Sequence, residues 1–193
     1  MREFIYFSNT ARTSGNFDDL MQAGRMDIVC HTVIASFFVS HAMRNDVKLH
    51  LLFNGPPDAP KHLEFVYDEE MPISKKDIAG LIKRMLFKSK KGIKIKAFPG
   101  CFIEKKSLIH LFEELQNEGK KIYLLDRRGT DIRETPIEEN AVFVIGDQDG
   151  IPRREIKRVD DIKKISLGPN SLFASQAIVI LNNELDRKSA SNL

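Results

Sequence analysis

The sequence predicts an α/β fold with a mainly parallel sheet and flanking helices. Three observations predict it. Segments with strand periodicity alternate with segments of helical periodicity along the whole chain. Ala141–Gly146 is a continuous apolar run, the pattern of a strand covered on both faces. Gly-bearing turns follow three successive strand segments in the last third, and in a parallel sheet such turns line the ligand crevice.

The elements follow in order. Residues 2–7 alternate as a first strand, and the polar residues 8–18 form a loop. Met26, Val29, Val33, Phe37 and Met43 recur at helical spacing, so one long helix is expected over residues 24–44. Residues 47–53 are a strand stopped by Asn54-Gly55-Pro56-Pro57, and residues 62–67 are another. Ser74 and Asp77 have capping-box spacing ahead of a helix that reaches Lys88. Residues 92–98 alternate Ile and Lys before a Pro99-Gly100 turn. Residues 108–118 form a helix closed by Gly119, and residues 121–126 a strand. Pro152 suits the first position of a short helix running to Val159. Residues 164–167 are a strand ended by Gly168-Pro169, and residues 173–185 a helix. The polar tail 186–193 is expected to fray. No linker or repeat interrupts the pattern, so residues 1–193 read as one domain.

Composition removes several classes of function. Hydrophobic residues make 42% of the 193 positions and charged residues 30%, the balance of an ordinary globular protein. No apolar run approaches a membrane span, and the first seven residues are too short and too soon polar for a signal peptide. Cys30 and Cys101 stand far apart, so neither a disulfide framework nor a zinc site is expected, and a cytoplasmic location fits. No GxGxxG, P-loop or GxSxG motif occurs. The five histidines form no HExxH or HxH pair, so no metal is expected.

The remaining motifs sit together in a recognisable order. VIGDQDGIP (residues 144–152) is followed by SLGPNSLFASQ (166–176). Upstream, GRMD (24–27) leads into FFVSH (37–41) and then NGPPD (54–58). In this order they resemble the SPOUT class of S-adenosylmethionine-dependent RNA methyltransferases. Within that class the resemblance is to archaeal tRNA pseudouridine-N1 methyltransferases, over essentially the whole chain. The resemblance implies a deep C-terminal trefoil knot, although knots are very rare. It implies S-adenosyl-L-methionine as cofactor, clasped largely by main-chain groups of the three turns. Carried over by position, the contacts are Leu125, Gly146, Leu167, Gly168, Pro169, Asn170, Ser171, Leu172 and Ala177. Relatives often have Cys where this chain has Ala177, so no thiol acts there. The implied reaction methylates N1 of pseudouridine 54 in tRNA. A homodimer packed through helix 173–185 is also implied. Two alternatives stay open: a methyltransferase of another RNA, such as a ribosomal pseudouridine, and a non-enzymatic RNA-binding assembly factor.

Pseudouridine N1 carries a weakly acidic proton, so its methylation needs a base or a site that stabilises the anion. Asp58 and Asp27 are the candidate carboxylates, and Arg25 and Arg12 the candidate anion or phosphate clamps. The net charge of +3 hides a polarised distribution. Residues 83–106 hold nine Lys and Arg against Glu104 alone, leaving 21 basic and 26 acidic residues elsewhere. Phe87, Phe98 and Phe102 are interleaved. The strip, with Lys88, Lys90, Lys91, Lys94 and Lys96 at its centre, suits phosphate contacts. tRNA is therefore the expected partner.

Overall fold

A computed structural model describes residues 1–190. Its frame is one eight-stranded sheet, whose strands in chain order are β1 (Arg2–Ser8), β2 (Val47–Phe53), β3 (Lys61–Val66), β4 (Ile95–Phe98), β5 (Cys101–Glu104), β6 (Lys121–Asp131), β7 (Ala141–Gly146) and β8 (Lys163–Ser166). The spatial order is β4-β5-β3-β2-β1-β7-β6-β8. The five strands from β2 to β8 in that order are parallel. β3, β4 and β5 add an antiparallel edge. The helices are α1 (Met26–Phe37), α2 (Ile78–Lys88), α3 (Leu108–Asn117), α4 (Arg153–Ile156) and α5 (Ala174–Ala190).

Alternation along the central strands divides the core between two faces. Phe4, Tyr6, Phe143 and Ile145 pack with the apolar sides of α1, α2 and α5. Ile5, Phe7, Val142 and Val144 pack with α3 on the other face. β7 is buried on both faces, as its unbroken apolar sequence requires. Loops leave the neighbouring ends of β1 and β7 in opposite directions, which opens a crevice at the carboxyl ends of the parallel strands.

The last third is interlaced. Ile165 of β8 pairs with Leu125 and again with Thr130, so the stretch of β6 between them bulges out of register with β8. A Cβ at Gly129 would lie 2.6 Å from the Ile165 backbone, so only glycine fits that contact. From β8 the chain runs through Gly168, at φ 128°, into α5, which packs against α1.

Several elements differ from expectation. α1 stops at Phe37, seven residues early. Phe38 turns extended and pairs with Met43, while Arg44 returns its amide to the Phe37 carbonyl and its guanidinium to Asp186 of α5. These contacts outweigh the helical periodicity of residues 38–44. The Ser74 capping box does not form: Asp77 is the cap residue and makes no side-chain cap hydrogen bond. β5 was not expected, being only four residues long. α4 is a single turn that ends at Ile156, not Val159. Residues 186–190 continue α5, anchored by Asp186 to Arg2 and Arg44; the rest of the expected frayed tail lies outside the described residues.

Candidate active site

The carboxyl ends of β6, β7 and β8 enclose a cavity of about 910 Å³. The three Gly-bearing turns form its walls. The first contributes Leu124 to Arg128, the second Ile145 to Ile151, and the third Leu167, Gly168 and residues 170–174. Tyr6 from β1 and Ile28 from α1 close the inner side, and Gln176 and Ala177 come from the start of α5. Of the residues carried over for the cofactor, Leu125, Gly146, Leu167, Gly168, Asn170, Ser171, Leu172 and Ala177 line the cavity. Pro169 does not, although both its neighbours do.

The walls are backbone-rich and held rigid. A Cβ at Gly146 would stand 2.9 Å from the Gly150 backbone, so the turn closes on itself only with glycine there. Asp147 secures the turn: its carboxylate accepts from the Asn9 amide N–H at 2.6 Å, the Asn9 side chain at 3.1 Å and the Asp149 amide at 3.0 Å. Asn9 also donates to the Gly150 carbonyl at 2.8 Å. On the neighbouring wall Lys164 donates to Asp126 at 2.8 Å and holds that carboxyl below its ordinary pKa. The Tyr6 hydroxyl is buried on the cavity side and makes no hydrogen bond within the protein. Burial, and then the Asp147 charge, raise its pKa well above that of free tyrosine.

The candidate catalytic residues lie in two places, and none of them lines the cavity. Arg25 begins α1 in the left-handed region, at φ 62°. That bend turns its guanidinium onto Asp27 in a bidentate pair, with both contacts at 3.0 Å. The hydrogen bond from Arg25 lowers the Asp27 pKa. The pair lies within electrostatic reach of Tyr6, one turn from the cavity-lining Ile28. Asp58 sits beyond β2, its amide bonded to the Thr13 hydroxyl at 2.8 Å. One carboxylate oxygen takes Lys105 and the other takes Lys61, which together pull its pKa down to about 2. Arg12 is half-buried, and its Nε makes no hydrogen bond.

Much of the expected basic strip is engaged internally. Lys88 donates to the Ala97 carbonyl and lies over the Phe98 ring. Lys94 bonds Glu64 and lies over Phe102. Lys90, Lys91 and Lys96 are exposed, without an ion pair among the described residues.

A second polar cluster was missed by sequence reasoning. Glu3, His50, His62 and Glu104 form a chain of contacts at 2.9, 2.8 and 3.0 Å across β1, β2, β3 and β5. Both histidines are fully buried. The ligand atoms of His50, His62 and Glu64 lie within 4.8 Å of one another. The imidazoles face end to end, though, with centroids 5.0 Å apart across a 2.8 Å N···N contact. That spacing is a hydrogen bond's; an ion between them needs roughly 2.0–2.1 Å on each side. No spacing motif announces the cluster, because strand register alone brings these residues together.

Residues 1–190 match the family model described as "Putative SAM-dependent RNA methyltransferase". The chain belongs to this family. The methyltransferase is 36% identical to the tRNA (pseudouridine(54)-N(1))-methyltransferase of Methanococcoides burtonii, covering 97% of this chain and 96% of that protein. It is 38% identical to the protein of the same description from Methanococcus aeolicus, over 97% and 98% of the two chains. Its fold is shared with Archaeoglobus fulgidus Nep1, crystallised with S-adenosylhomocysteine, at a TM-score of 0.65 and 15% identity over 98% and 99% of the chains. The cofactor of this methyltransferase family is S-adenosylmethionine, and the cavity fits it. The volume suits one nucleoside-sized ligand, and Gly146, where a Cβ would meet the Gly150 backbone, keeps main chain at the cavity wall.

Proposed function

We propose that this chain is the tRNA pseudouridine-54 N1-methyltransferase of its source, working in the cytoplasm as a homodimer of single-domain subunits. The observation that carries the reading is the glycine-closed cavity at the ends of β6, β7 and β8, in a chain related to enzymes of that description over 97% of its length. The bulge of β6 beside Ile165, followed by the run into α5, supports a C-terminal knot. Exposed Leu172, Phe173 and Val179 on and beside α5 support a dimer interface there. A 22.0 kDa species in sedimentation at working concentration overturns the dimer.

The bound cofactor supplies a methyl group on a sulfonium, open to in-line displacement. The protein's part is to align donor and acceptor and to stabilise the charge left when pseudouridine N1 loses its proton. The turn at residues 146–150, fixed by Asn9, and the segment 167–172 hold the donor side. Arg25, oriented by Asp27, is our candidate to stabilise a developing nucleobase anion. Asp58, ionised down to pH about 2, is a weak proton acceptor; it anchors Lys61 and Lys105 at the end of β2.

The deciding experiment is methyl transfer from labelled cofactor to tRNA transcripts bearing pseudouridine or uridine at the target position. Transfer to the pseudouridine transcript alone is expected. Transfer only to ribosomal RNA fragments overturns the tRNA assignment. Tight binding of cofactor and RNA without any transfer overturns the enzyme and leaves an assembly factor.

A further inference from the structure

The cavity mouth carries positive charge that the cofactor does not account for. Arg127 and Arg128 stand on the bulge of β6, and Arg153 opens α4; all three are exposed and line the cavity. None makes an ion pair among the described residues. The lining carboxylates are largely occupied: Lys164 holds Asp126, and Asp147 accepts from Asn9 and the Asp149 amide. Asp149 is the one lining carboxylate with neither side-chain nor backbone donor among the described residues.

The lysine strip contrasts with this: its unpaired members, Lys90, Lys91 and Lys96, lie in or just before β4, at the opposite edge of the sheet from β8 and the cavity. Lys83, Arg84, Lys94, Lys105 and Lys106 are each ion-paired within the protein, and Lys88 is spent on a carbonyl and a ring. An engaged cation releases few counterions on meeting a phosphate, because its charge is already partly met. Unpaired guanidiniums present planar donors suited to phosphate oxygens.

Resting on the RNA-methyltransferase reading above, we infer that Arg127, Arg128 and Arg153 clamp the phosphates flanking the target nucleotide. Segmental charge therefore misleads: the densest basic stretch is not the best phosphate site. The clamp sits at the entrance to the cofactor cavity, so phosphate binding and delivery of the base to the donor happen in one place. No base-specific readout is required of it, since phosphate contacts set position and not sequence.

The test measures affinity for a pseudouridine-containing tRNA transcript between about 50 and 200 mM salt. The triple variant R127A/R128A/R153A is expected to bind at least about tenfold more weakly at the low end. Its log–log salt slope should be shallower by about two to three, at roughly 0.7–0.9 for each phosphate no longer neutralised. The melting temperature should be unchanged within a few degrees, which shows an intact fold. K90A/K91A/K96A should lose less affinity and less slope. The single variants Arg127→Gln and Arg153→Gln should each lower the slope by about one, and they decide the matter if the triple variant folds poorly. An arginine variant with wild-type affinity and slope overturns the clamp, whatever the catalytic result. Arginine-dependent RNA binding without pseudouridine methylation overturns the substrate assignment and leaves the clamp standing. A wild-type chain that binds no RNA overturns both.

Discussion

At Gly146 the absent side chain is what lets the turn close. Any Cβ there meets the Gly150 backbone at 2.9 Å, and Asn9 keeps that loop from moving away. Gly146→Ala is expected to misplace the turn at a cost of about 1–3 kcal/mol, read as roughly tenfold weaker cofactor binding in calorimetry. Asp58 makes a different case. Both its oxygens are taken by lysines, and its pKa is about 2. Asp58→Asn should lower turnover less than about tenfold, whereas loss of a true general base costs about 10²–10⁴. A hundredfold fall with intact folding would restore Asp58 as the base. Residues of both kinds were legible in the sequence, through glycines at strand ends and polar residues beside a turn. The Arg25–Asp27 pair was legible only as two candidates: residues two apart do not face each other on a regular helix, and they meet here because Arg25 adopts a left-handed backbone.

Among the elements, the contact of the β6 bulge with β8 is tight. The Gly129 position faces the Ile165 and Lys164 backbone at 2.6 Å, with no flexible side chain to yield. Gly129→Ala should destabilise the fold by about 2 kcal/mol, which for a chain of this size lowers the melting temperature by roughly 4–8 °C in a thermal scan. A melting point unchanged within a degree would mean that the contact relaxes freely. Strand existence was readable wherever burial imposes a pattern, as in β7. Helix extent was less readable: residues 38–44 keep a helical period, yet contacts from Arg44 to α5 turn the chain away. β5 escaped notice because four residues are too few to show a period.

On the scale of the molecule, pH dependence comes from the buried cluster opposite the helix pair α1 and α5. Burial alone would raise the Glu3 carboxyl, but hydrogen bonds from His50 and Lys120 outweigh it and bring the pKa to about 2. Glu104 is held at about 2 in the same way, against its own burial, by His62 and Lys106. A depressed carboxyl stabilises the folded state fully above its ordinary pKa of 4.5 and loses that contribution as pH falls toward 2. Denaturant titrations should therefore show stability declining below about pH 6.5, where the unfolded chain takes up protons that buried His50 and His62 refuse, and further below about 4.5, with a smaller acid decline in Glu3→Gln. A flat profile from about pH 5 to 2.5 would contradict this.

The sequence by itself determined the α/β class, the turns that line the cavity and the family. Each of these depends on local pattern: alternation, apolar runs, and glycine where the backbone must come close. Tertiary structure decided the rest. Strand register joined Glu3, His50, His62 and Glu104, which no spacing connects. Ion pairing engaged much of the basic strip and left the guanidiniums at the cavity mouth without a close ion pair among the described residues. A charge counted along the chain says nothing of what neutralises it in space, and only the fold supplies that neighbour.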